Sequence, residues 1–260
     1  MALTYPHYLQ LDSLLALQQP LSDGPEHDEM LFIVIHQVYE LWFKQILHEV
    51  DLLQRSLEAG DTPTALATLK RTLTILKVMV SQIDVLETMT PVSFNSFRHR
   101  LDTASGFESS QFRALEFALG HKRPGAASRY PEDSPERRTL EAWLDRPSVW
   151  LSFLRYLARQ GYPIPATDLE RDPREPTAES PAVQDVLLDI YHHHPLEAQL
   201  CERFVDLDEG LQEWRYRHVK MVERTIGTKR GTGGSTGAEY LRTTLSKPLF
   251  PDLWAIRVRL

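Results

Sequence analysis

The chain has 260 residues, 42% of them hydrophobic and 25% charged, a balance that supports a packed core in one large or two small domains and excludes a disordered, collagenous or disulfide-scaffold protein. Its formal net charge of −7 comes from acidic residues spread along the sequence, which speaks against nucleic acid and anionic membrane as partners and favours a small-molecule role. Cys201 is the single cysteine, so an intramolecular disulfide and multi-cysteine zinc or iron–sulfur sites are excluded, in keeping with a reducing cytoplasm.

The opening stretch MALTYPHYLQLDSLLALQQP has no basic n-region, and Gln10 and Asp12 interrupt its apolar residues, so it does not read as a secretory signal. The longest apolar run, Leu31 to Ile35, falls far short of the roughly 20 residues that span a bilayer. The expectation is a cytoplasmic protein with no membrane span. Sustained apolar–polar alternation is absent and helical spacing dominates, so the predicted fold is an all-α helical bundle.

After the turn-like Asp23-Gly24-Pro25, a helix is predicted from about Asp28 to about Leu57, ending near Gly60. From Leu31 to Phe43 it is apolar nearly all round, which calls for burial on several sides by other helices or by another subunit. A second helix should run from about Thr62 to about Glu87 with Leu66, Leu69, Leu73, Leu76 and Val80 inward, and Pro91 should start a short one. A helix is expected over Phe107 to Leu119, a loop over His121 to Arg137 and a helix over Trp143 to Leu157. Gly161 to Pro181 holds five prolines among charges and fits an interdomain linker or, preferably, a long surface loop, because composition is alike on its two sides. A long helix from about Pro195 to Ile226, a glycine-rich stretch and a short helix from about Ala238 complete the chain.

Several residues break these patterns. His218 interrupts the apolar seam Leu200, Phe204, Leu207, Leu211, Trp214 and Met221 or Val222 of the long helix, and two roles fit: a core histidine hydrogen-bonded to a neighbouring helix, or an axial ligand of a haem iron kept neutral by burial. His36 stands in the early apolar helix on the face of Phe32, and Glu40 alone converges with it, so a two-ligand metal site there is weakly supported. Arg98 shares one face of a short helix with Phe94, Phe97 and Leu101, and its partner is either a protein carboxylate or a substrate carboxylate gripped by both prongs of the guanidinium. The run from Lys229 to Gly237 matches neither common phosphate-loop pattern and follows a helix, which leaves a flexible linker or a lid with Thr232 as its hydroxyl. His192, His193 and His194 precede Pro195 and point in different directions, as at a solvated helix boundary.

Six stretches in order carry a resemblance: YPHYLQLD at Tyr5 to Asp12, HDEMLFIVIHQVYELWFKQ at His27 to Gln45, VLETMTPVSFNSFR at Val85 to Arg98, SGFESSQFR at Ser105 to Arg113, WRYRHVKMVERTIG at Trp214 to Gly227, and KRGTGGSTG at Lys229 to Gly237. Together they resemble the tryptophan 2,3-dioxygenase family. That resemblance implies one all-helical catalytic domain over residues 1–260, assembled as a homotetramer with one haem b per subunit, that inserts O2 across the indole C2–C3 bond of L-tryptophan. By residue match it implies His218 as the proximal iron ligand and His36 as the distal group that receives the indole N–H. It places Arg98 on the substrate carboxylate, Thr232 of a mobile 229–237 loop on the amino-acid end, and Phe32, Phe94, Phe97 and Leu101 around the indole, with Ser105 and Gly106 nearby. Tyr5, Tyr8 and Leu9, in an arm over residues 1–20, match a segment that the family inserts into a neighbouring subunit's site. Two other functions share such motifs: a haem monooxygenase acting on tryptophan or a substituted tryptophan, and a haem- or tryptophan-binding sensor without turnover.

Overall fold

The computed structural model describes residues 2–24, 26–102, 104–229, 231 and 237–260, and the backbone alone of Phe107. The chain starts with two short helices, α1 (Tyr5–Leu9) and α2 (Leu11–Leu14), divided by Gln10 at φ 54°, and neither contains a buried residue. Helix α3 (His27–Ala59) follows, with no proline or glycine inside it. It stops at Gly60, whose φ of 74° suits a residue without Cβ, and Asp61 then caps α4 (Thr62–Leu86) by accepting from the Thr64 N–H at 3.1 Å. This short connection lays α3 and α4 side by side, and the Tyr39 hydroxyl joins them by donating to the Met79 carbonyl at 2.7 Å.

Short helix α5 (Pro91–Phe97) begins behind the Thr90 cap and tightens into a 3-10 turn over Arg98–Leu101. Next come α6 (Ser110–Ala118), capped by Ser109, then α7 (Pro124–Ala127), α8 (Pro135–Asp145) and α9 (Val149–Arg159). The expected loop over His121 to Arg137 therefore holds α7 and the start of α8. The expected single helix over Trp143 to Leu157 is two helices, because Arg146 is extended ahead of Pro147 and Ser148 caps the second by accepting from the Leu151 N–H at 3.2 Å. Within the proline-rich stretch lies α10 (Ala166–Leu169). The stretch is fastened by the Thr177 N–H to the Gly120 carbonyl at 3.0 Å and by the Ser180 N–H to Asp252 at 2.8 Å. Gly120 sits at φ 102° directly against the Thr177 side chain, a place no larger residue could take without displacing it. The remaining helices are α11 (Pro181–His193), α12 (Pro195–Ile226), α13 (Ala238–Arg242) and α14 (Pro251–Ala255).

The described residues form an all-α fold with no strand. Its main core lies where α3, α4, α9 and α12 meet, with Leu53, Leu57, Leu69, Leu76, Met79, Phe153, Leu157, Phe204 and Leu207 almost wholly buried. Each such side chain contributes about 1.5–3 kcal/mol by leaving water. Gly210 brings α12 close to α4, since a Cβ there would lie 2.8 Å from Leu73 Cδ1. A second, smaller core of Ile35, Leu86, Met89, Phe94 and Phe97 gathers the start of α3, the end of α4 and α5. Between the two cores the helices stand apart around a cavity. No helix among the described residues is long and apolar enough to cross a membrane.

Candidate active site

The cavity encloses about 690 Å³, within the size range of sites that bury a small ligand or cofactor. Helix α3 supplies Phe32, His36, Tyr39, Glu40 and Phe43, which recur every three or four residues and so share one face. Helix α12 supplies Trp214, Arg215, His218, Met221, Val222 and Thr225 by the same rule. Phe94, Arg98, Leu101, Ser105 and Gly106 close one side, and Phe112, Arg113, Glu116 and Arg123 close another. Gly231 and Gly237, on either side of the segment that follows α12, border it too.

His36 and His218 thus face one space from different helices. The His36 Nδ1 lies 2.7 Å from the Phe32 carbonyl, which can only accept, so Nδ1 carries the proton and Nε2 is left as an acceptor. Burial lowers the His36 pKa below its ordinary value, with partial opposition from the Phe32 carbonyl and Glu40, which keeps the ring neutral at pH 7. The Phe32 ring sits 4.1 Å from the His36 ring and fixes its plane.

His218 is stacked on Trp214 with ring centroids 5.2 Å apart and planes 3° from parallel. Phe43 and Phe112 pack on the same indole at 6.2 and 5.0 Å, so the imidazole is held by a rigid aromatic wall. Burial pushes the His218 pKa down to about 4, with a smaller contribution from His36. Its ring makes no hydrogen bond to another described residue. Of the two roles open in the sequence, a hydrogen-bonded core histidine is therefore not what the structure presents: His218 is a neutral imidazole with its lone pair available.

Phe32 and Phe94 pack at 5.8 Å and border the cavity with Leu101. Phe97 is placed differently from the expected lining: it is fully buried behind them, 5.7 Å from Phe32 and 5.6 Å from Phe94. The reason is local: Phe94 and Phe97 are three apart on α5, about 60° round the helix from each other, so Phe94 reaches the cavity while Phe97 turns into the smaller core. Thr232 lies outside the described residues. Tyr5, Tyr8 and Leu9 are away from this cavity and largely in solvent, at 72%, 70% and 41% exposure.

Residues to which sequence reasoning assigned no place in the site are Glu40, Trp214 and the cluster around Glu116. The first two were findable, because Glu40 follows His36 and Trp214 precedes His218 by four residues on a helix. Glu116, on α6, is buried and pairs with Arg113, with Arg123 at 2.5 Å and with Arg215 at 3.1 Å. Burial raises its pKa, but the three guanidinium groups prevail and hold it below the usual carboxylate range.

The sequence model of the family described as Tryptophan 2,3-dioxygenase matches residues 1–141 and 179–260. The chain belongs to the tryptophan 2,3-dioxygenase family. It is 59% identical over 259 residues to the Tryptophan 2,3-dioxygenase of Herpetosiphon aurantiacus, covering 100% of this chain and 99% of that relative. It is 58% identical over 260 residues to the protein of the same name from Anaeromyxobacter sp. strain K, covering 98% and 96%. The Bacillus anthracis Tryptophan 2,3-dioxygenase is 42% identical over 261 residues, covering 99% and 93%. The family match spans every cavity-lining element named above, and its interruption at 142–178 covers α9, α10 and their flanks, away from the cavity.

Proposed function

We propose that the chain is a haem-dependent dioxygenase that inserts both atoms of O2 across the indole C2–C3 bond of L-tryptophan, giving N-formylkynurenine, the first step of tryptophan breakdown through kynurenine. The observation that carries this reading is the presence, on one cavity, of a neutral unbonded imidazole on α12 and a neutral acceptor imidazole on α3. Among the described residues no group of three His, Cys, Asp or Glu side chains could hold a bare metal ion. A single available imidazole in an apolar wall suits instead haem b, whose iron His218 would hold. When bound and reduced, the haem supplies the oxygen chemistry.

The chain's own residues bind and orient the substrate. His36 accepts the indole N–H at Nε2; with a depressed pKa it is too weak a base to remove that proton, so it orients and polarises the ring. Phe32, Phe94 and Leu101 enclose the indole, with Ser105 and Gly106 nearby, and Phe97 backs them. Arg98 grips the substrate carboxylate and Thr232 assists it, which reduces the entropy of reaching the reactive pose. One neutral hydrogen bond is worth about 0.5–1.5 kcal/mol, so His36→Ala should lose about 2- to 10-fold in affinity for L-tryptophan and nothing for 1-methyltryptophan. Equal losses for both ligands in equilibrium titration would remove the indole N–H from His36.

The family resemblance supports a cytoplasmic homotetramer as the active species. Two features support assembly: the exposed arm residues Tyr5, Tyr8 and Leu9, and the outer face of α3, where Met30, Val34 and Leu41 are 42%, 37% and 52% exposed. In one subunit the all-round apolar stretch of α3 is thus only partly covered. Deleting residues 2–16 should shift sedimentation toward smaller species and weaken tryptophan binding; a monomeric full-length chain at micromolar concentration would contradict the assembly. The function itself is tested by incubating the haem-loaded chain with L-tryptophan, ascorbate and air. Steady consumption of tryptophan is expected, whereas binding without consumption would make the protein a sensor.

A further inference from the structure

We infer that Arg123 and Arg215, held by Glu116, bind the two propionate carboxylates of the haem carried by His218. The inference rests on the haem reading above and concerns a part of the cavity that neither the substrate nor the axial ligand uses.

The Glu116 cluster has too little negative charge for its cations. Glu116 carries one charge and is bonded by both Arg123 and Arg215, so it could not neutralise the two even if it served them alone, and Arg113 draws on it as well. His121, 3.3 Å from Arg215, has its pKa lowered to about 4 by burial and by that guanidinium, so it is neutral and adds no charge of either sign. The buried Asp208 spends one carboxylate oxygen on the N–H groups of Leu249, Phe250 and Trp254. Glu108 and Glu136 border the cavity from exposed positions. Arg215 is only 4% exposed, too deep for bulk water to stabilise its charge. The Arg123 Nε–H is buried and has no hydrogen-bond partner among the described residues.

Position agrees with charge. Arg215 precedes His218 by three residues on α12, so both occupy one face of the helix and both border the cavity. Farther along the same helix, the cavity wall is apolar at Met221, Val222 and Ile226. From Arg215 through His218 to Ile226 the wall therefore passes from cationic to ligating to apolar. A disc with an iron at its centre, two carboxylates on one edge and methyl and vinyl groups on the other has that polarity. The planar forks of Arg123 and Arg215 are suited to carboxylates, and Glu116 fixes them in advance.

The test uses the full-length apoprotein reconstituted with protohaem or with protohaem dimethyl ester, which has the same iron and ring but masked carboxylates. Affinity is followed by the Soret band and by quenching of tryptophan fluorescence. The wild-type chain should prefer the free acid at least about tenfold, and the Arg123→Gln, Arg215→Gln double variant should bind both forms alike with an unchanged histidine-ligated spectrum. Equal affinity of the wild type for acid and ester would overturn the proposal without any variant having to fold. It would equally fall if the double variant kept the preference and lost affinity for tryptophan instead, since the arginines would then serve the substrate carboxylate. Binding of neither form would fail the haem reading itself, and this inference with it.

Discussion

Replacing His218 with alanine should abolish haem retention. The side chain is the sole imidazole on the cavity wall of α12, and its stacking on Trp214 at 5.2 Å fixes its direction before any ligand arrives. A neutral ring with a pKa near 4 offers its lone pair without first losing a proton, so affinity for iron is not taxed by pH anywhere near neutrality. With alanine there, His36 remains the cavity's other imidazole, on the opposite helix and committed at Nδ1 to the Phe32 carbonyl. The expected result is a purified variant with native helical circular dichroism and little or no Soret absorbance, partly restored by added imidazole. A variant with wild-type haem content and an unchanged ferrous spectrum would remove His218 from the role of ligand.

Arg98→Ala should give the largest loss of substrate affinity. Removing one partner of a desolvated charge pair typically costs about 2–5 kcal/mol, which raises Kd for L-tryptophan by at least about 30-fold. Tryptamine has the indole and the ammonium but no carboxylate, so its affinity should hardly change, and the preference of the wild type for tryptophan over tryptamine should largely vanish. A variant that bound tryptophan normally, or kept the preference, would show that Arg98 grips something else. The effect exceeds the one expected at His36 because Arg98 would lose a charge pair, whereas His36 would lose one neutral hydrogen bond.

The long helices were legible because no proline falls inside them beyond the first turn: α3 and α4 fall within two residues of the expected bounds, and α12 matches them. The start of α8 was misread as loop because its first turn is Pro135, Glu136, Arg137 and Arg138, and its apolar residues Leu140, Trp143 and Leu144 come late. The signal was nonetheless present, since Ser134 ahead of Pro135 is an N-cap, accepting from the Arg137 N–H at 3.1 Å. In the site, His36 and His218 stood out as polar residues in apolar stripes. Phe97 was expected one layer too far forward, because residues three apart share a helical face only to within about 60°, and spacing does not say which of them turns into the core. The Glu116 cluster was out of reach for a different reason: Arg215 comes from 99 residues away in sequence, and only the packing of α6 against α12 and the loop after α6 brings the charges together. Local patterns specify elements and faces, whereas charge complements built across elements need the fold.

The central claim is that both oxygen atoms reach one substrate molecule, and the product formed under 18O-labelled dioxygen tests it most directly. On the proposed binding mode, His36 would take the indole N–H and Arg98 the carboxylate, while Phe32, Phe94 and Leu101, which border the cavity, would keep water from the ring until the reaction is complete. The haem-loaded, reduced enzyme should therefore convert L-tryptophan to N-formylkynurenine carrying two labelled atoms, with no stoichiometric use of external reductant. A product with one labelled atom and an intact five-membered ring, formed at the expense of one pair of reducing equivalents per turnover, would contradict it and assign the chain to monooxygenation.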